Sequence, residues 1–160
     1  MKTDMIELFS TWVDQVMSRN AQGDYREVGG LKPHWVEAIQ AANIALVSAT
    51  IIVRDHDVKH SFRDAKDSQL PLDWYKQLPE QLIKPQAVIL DQTKTDEPAI
   101  LLLYGLPNNR AQKLVVRINY YAKIKGKKQR VNLVNTGHIS DLIGLKGKVS
   151  KELLLIEGSL

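Results

Sequence analysis

None of the 160 residues is a cysteine, which excludes a disulfide scaffold, a thiolate zinc site and a cysteine nucleophile and fits a reducing compartment. No segment approaches the roughly 18 consecutive apolar residues of a membrane-spanning helix. Met1-Lys2-Thr3-Asp4 does not open a signal-peptide pattern. These absences predict a cytoplasmic protein, or one assembled there, with no membrane partner. The sequence also lacks Gly-x-Ser-x-Gly, Gly-x-x-x-x-Gly-Lys-Ser/Thr and the kinase set, and its early glycines, Gly23 and Gly29-Gly30, do not have dinucleotide-fingerprint spacing. The most telling absence is of negative charge in one block. Residues 99–140 hold 8 Lys/Arg and no Asp or Glu, whereas residues 1–98 hold 11 and 15 and residues 141–160 hold 3 and 3.

A net charge of +4 therefore conceals a middle block at +8. Carried on a strand, such a block is an electrostatic footprint for a polyanion. The plainer alternative is a hairpin whose lysines protect an edge from strand addition. That alternative does not require the Asn, Tyr and Arg residues interleaved with the lysines. At 44% hydrophobic and 25% charged residues, the composition is that of an ordinary globular chain, and the length suits one main core.

The basic block centres on Lys113–Thr136. Leu114, Val116, Ile118, Tyr120, Ala122 and Ile124 alternate with Lys113, Val115, Arg117, Asn119, Tyr121 and Lys123, the period-two pattern of a half-buried strand. Lys125-Gly126 offers a two-residue turn that would pair Tyr120 with Val131 and Ile118 with Leu133; a four-residue loop, Lys125 to Lys128, shifts the pairing by two. In either register one surface is expected to collect Arg117, Asn119, Tyr121, Lys123, Lys128, Arg130, Asn132 and Thr136.

Around this hairpin the pattern predicts helices first and strands later. Met5, Leu8, Phe9, Trp12, Val13, Val16 and Met17 form a helical stripe within about 4–20, followed by a loop bracketed by Gly23 and Gly29-Gly30. Pro33 opens a second helix through Trp35, Val36 and Ile39, with His34 left at the surface. Ser48–Val53 is read as a strand and Asp55–Asp64 as a short helix; Pro71 and Pro79 punctuate short helical turns. Strands follow at Ala87–Leu90 and Ala99–Tyr104. Ser140 or Asp141 caps a last helix, and Leu153–Ile156 packs back as an edge strand or marks a contact in a larger assembly. The predicted architecture is α+β, with N-terminal helices and a four-stranded antiparallel meander. It divides into a helical segment, 1–46, and an α+β domain, 47–160, packed as one unit.

On the Asp55–Asp64 helix, His56, Lys59, His60 and Arg63 share a polar side opposite Val58 and Phe62. His56 and His60 have the spacing of His-x-x-x-His zinc ligands, but the basic neighbours and the missing third ligand argue against metal, and no cofactor is expected. Metal-independent phosphodiester cleavage needs a proton carrier near neutral pKa, cations on the nonbridging oxygens and hydrogen bonds to the phosphate. Histidine supplies the first, Arg117 or Arg63 the second, and Asn119, Asn132, Tyr121 or Thr136 the third.

From Val47 to Ile139 the order VSATIIVRDHDVKHSFRD, LPLDWYKQLPEQLIKPQAVILD, PAILLLY, KLVVRINYYAKI and RVNLVNTG resembles the phage-borne nuclease-like domains of the barnase, EndoU, colicin and RelE superfamily. Such domains are found at the C-terminus of Mu-like head-morphogenesis proteins. The resemblance implies helices before a four-stranded sheet, metal-independent ribonuclease activity, RNA as the favoured nucleic acid, phage head proteins as further partners, and a host-cytoplasmic or virion-associated setting. Carried over by position, it makes His60 the catalytic histidine, Arg117 a phosphate contact and Thr136 a polar site residue, with Arg63 and Asn119 as weaker matches. The alternative is a non-catalytic phage structural module that binds nucleic acid through the same face and assembles through Trp12 and Leu153–Ile156.

Overall fold

The computed structural model describes residues 2–62, 70–94, 96–147 and 152–160. Its centre is a seven-stranded mixed sheet in the order β1-β2-β6-β5-β4-β3-β7. The strands are β1 (Tyr25–Gly30), β2 (Thr50–Arg54), β3 (Ala87–Asp91), β4 (Ala99–Leu106), β5 (Arg110–Ile124), β6 (Lys127–Asp141) and β7 (Leu153–Gly158). The helices are α1 (Lys2–Met17), α2 (Pro33–Ala41), α3 (Asp55–Ser61), α4 (Leu72–Tyr75), α5 (Leu78–Gln81) and α6 (Leu142–Gly147).

The α+β class and the leading helix α1 agree with the sequence pattern, whereas β1 and β2 interleave with the helices that follow and the four-stranded antiparallel sheet is corrected. The meander β3-β4-β5-β6 is present at the centre. On one side, β2 joins β6 in parallel through Ile51 opposite Asn132 and Ile52 opposite Leu133, and β1 adds antiparallel to β2. On the other side, β7 adds to β3 as an edge strand. Strand β1 falls in the segment expected to be a loop. Its sequence, YREVGG, buries only Val28 fully, so no alternation marked it.

One face of the sheet carries the main core. Phe9, Trp12, Val13 and Val16 of α1, Trp35 and Ile39 of α2 and Val58 of α3 meet Ile51, Val53, Val88, Leu90, Ile100, Leu102, Leu114, Val116, Ile118 and Val134. Met5 and Leu8, assigned by spacing to the same stripe as Phe9, are 50% and 72% exposed. Trp12 is buried and donates its indole N–H to Asp24 at 2.9 Å, so it offers no assembly surface. The opposite face has two smaller clusters, one around Ile89, Leu101 and Val115 and one around Ile52, Ala122, Ile124 and Leu133.

Candidate nucleic-acid interface

The β5–β6 hairpin turns on Lys125 and Gly126, whose φ values of 48° and 86° are the positive pair expected of a type I′ turn. Ile124 then pairs with Lys127 and Tyr120 with Val131, the register that the two-residue loop predicts. Beyond Tyr120 the register shifts, and Arg117, not Ile118, stands opposite Leu133. Ile118 and Asn119 together span the place of Asn132, a β-bulge in which Asn119 takes φ 53°, a left-handed conformation that asparagine tolerates better than most residues.

The bulge splits a surface that the alternation makes continuous. Before it, Leu114, Val116 and Ile118 face the main core beneath the helices. After it, Tyr120, Ala122 and Ile124 pack on the opposite face with Ile52, Val131 and Leu133. Arg117 consequently lies on the face away from the helices, with Ala99 and Leu133 as its ladder neighbours. It does not share a sheet face with Tyr121 and Lys123.

Four of the expected residues do come together. Tyr121 is paired with Arg130 and Lys123 with Lys128, so all four side chains leave one face of the ribbon, and all are exposed. Tyr121 is 55% exposed. The Arg130 guanidinium lies 4.8 Å and the Lys128 ammonium 5.7 Å from its ring centroid, within cation–π range. Arg130 is further held by donating to the Asn119 carbonyl at 3.2 Å. Behind this face the ribbon is closed: Ala122 and Ile124 are buried, and the Lys125 ammonium lies over the Tyr25 ring at 5.7 Å.

Asn119 and Asn132 serve the fold instead of the surface. The Asn119 amide donates to the Ala45 carbonyl at 2.7 Å and accepts from the Val47 N–H at 3.1 Å. Asn132 is buried; it donates to the Ser48 and Thr50 carbonyls and accepts from the Asn119 N–H. Together they tie the connection before β2 to the bulge, satisfying backbone groups that would otherwise be unpaired.

Beside Tyr121 lies a recess of about 240 Å³ lined by Asp96, Glu97, Pro98, Arg117, Ile118, Asn119, Tyr120, Tyr121 and Arg130. Arg117 lines it at the end of the β4–β5 pairing, where Ala99 stands opposite Arg117 and the Pro98 carbonyl accepts from the Ile118 N–H at 2.9 Å. The carboxylates here come from the β3–β4 connection, just outside the acid-free block.

His60 is exposed on α3 and stacks with His56, ring centroids 6.4 Å apart. Both line a separate groove of about 340 Å³ with Met17, Ala21, Lys59 and Phe62. Lys59 is occupied there, donating to the Val16 and Arg19 carbonyls at the end of α1. This groove shares no lining residue with the recess at Arg117. Val58 ties α3 to the helix-covered face of the sheet, opposite Arg117. Thr136 pairs with Val115 in the β5–β6 ladder, two residues along β5 from Arg117. Arg63 lies outside the described residues. Among the described residues no group of three or more His, Asp or Glu side chains could hold a metal ion.

A charged cluster that the sequence did not single out lies at the foot of α3. Asp55 is fully buried and accepts from Arg19 at 3.1 Å, from the Gln22 N–H at 2.7 Å and from the His56 N–H at 2.7 Å. Burial pulls its carboxyl upward, but these donors outweigh burial and hold it below the ordinary carboxylate range. Asp24 is likewise lowered: burial opposes ionisation, while Trp12, the Tyr25 N–H and Arg26 favour it. The cluster locks α1 and β1 to α3; its groups are consumed by one another.

No protein-family model, no curated protein and no solved structure matches the chain.

Proposed function

We propose that the chain is a nucleic-acid-binding module, with RNA its favoured partner, that holds its ligand on the exposed face of the β5–β6 ribbon. The observation that carries this reading is the juxtaposition of Tyr121, Lys123, Lys128 and Arg130 on one exposed surface, within a block devoid of acidic residues. Cations there neutralise phosphates and release counterions, which supplies affinity without base contacts. Fluorescence anisotropy with labelled RNA across a salt series tests it. Affinity should fall with rising salt, and Lys123→Gln/Lys128→Gln should weaken binding and lower the salt slope by about 1–2. Salt-independent binding, or none at low salt, contradicts the reading.

A metal-independent ribonuclease of the phage type is the second reading, favoured by the stacked His56 and His60 in their own groove. In this arrangement the histidines would move protons without Arg117, whose recess is separate. Cleavage of RNA in EDTA, retained in Arg117→Ala and lost in His60→Ala, supports it; an uncut substrate with the parent protein removes it. Portal and capsid genes beside the coding sequence would support the phage setting and its head-protein partners.

A further inference from the structure

Tyr121 is more than half exposed at the centre of the basic face, with Arg130 and Lys128 against its ring. An exposed aromatic ring set among cations suits an unpaired base, because every base has a π-face to stack and stacking tolerates any sequence, while the cations follow the backbone. A duplex keeps its bases stacked inside and offers the ring only sugars and phosphates. A two-stranded ribbon can enter a major groove, but this one is backed along Ala122 and Ile124 by Tyr25 and Ile52, so it presents one face only.

The recess next to Tyr121 sharpens the choice. Arg117 and Arg130 line it, yet Asp96 and Glu97 line it too. The two carboxylates offset the two guanidiniums, leaving little net charge to hold a phosphate, and they accept hydrogen bonds from exocyclic amino groups on base edges. The recess therefore suits a neutral base turned out of the stack, with the backbone running over Lys123 and Lys128.

Resting on the reading of this face as a nucleic-acid interface, we propose that its ligand is single-stranded, with one base stacked on Tyr121 and a neighbouring base edge in the Asp96–Arg117 recess. Anisotropy titrations with a labelled RNA of about 12 nucleotides, alone and annealed to its complement, test this on the full chain. The parent should prefer the single strand by at least about tenfold. Tyr121→Ala and Tyr121→Leu should weaken single-strand binding by about five- to a hundredfold and abolish the preference for the single strand, while Tyr121→Phe retains it. Equal affinity for both forms, or unchanged single-strand binding by Tyr121→Ala with parental circular dichroism, overturns the proposal while leaving the nucleic-acid reading intact. Absence of binding to either form at low salt overturns both.

Discussion

The residue that most changes the meaning of the hairpin is Asn119. Its left-handed backbone sets the bulge, and its amide holds both Ala45 and Val47. The two roles can be separated by substitution. Asn119→Gly should keep the bulge and lose the two side-chain hydrogen bonds, costing about 1–2 kcal/mol. Asn119→Ala should lose the hydrogen bonds and add the left-handed strain, costing about 2–4 kcal/mol. Urea denaturation of the two variants checks the order; a glycine variant less stable than the alanine variant would show that backbone conformation is not what the site selects. Sequence alternation identified Tyr121, Lys123, Lys128 and Arg130 as partners on one face. It could not separate Arg117 from them, because one extra residue in a strand reverses the facing of everything beyond it.

At the scale of elements, long periodic segments were legible and weakly patterned ones were not. The helix at α1, the turn at Lys125-Gly126, β3, β4 and the returning strand at β7 all follow local signals. Strand β1 and the parallel join of β2 to β6 rest on non-local pairing that no window of sequence expresses. The edge strand β7 depends on Gly158, at φ 75°, where a Cβ would drive into the Gln86 carbonyl oxygen. Gly158→Ala should destabilise the protein by about 1–3 kcal/mol. Hydrogen exchange should then accelerate in the β7 amides and stay slow in β4 and β5; uniform acceleration across the sheet would show that β7 does not loosen independently.

For the molecule as a whole, stability should depend on acid in two steps. His138 is held below the ordinary histidine value, first by burial and then by Lys113 across the ladder. Its contribution is therefore complete above about pH 6.5 and is lost as pH falls through its lower folded value. Asp24 and Asp55, also depressed, contribute fully above about pH 4 and lose that contribution as pH falls through their own folded values. Urea midpoints measured from pH 7 to pH 3 should show both declines. His138→Gln should flatten the first, and Asp55→Asn should flatten the second while lowering stability at pH 7 by about 2 kcal/mol. A first decline unchanged in His138→Gln would assign it to another group. By itself, the sequence determined the α+β class, the hairpin and the segregation of positive charge, because each is written in local periodicity and composition. Only the tertiary structure decided that the sheet has seven strands, that His60 and Arg117 occupy separate depressions, and that Asn119 and Asn132 are spent on the backbone. Those outcomes depend on a bulge and on pairings between distant segments, and physical proximity of that kind has no local signature in the chain.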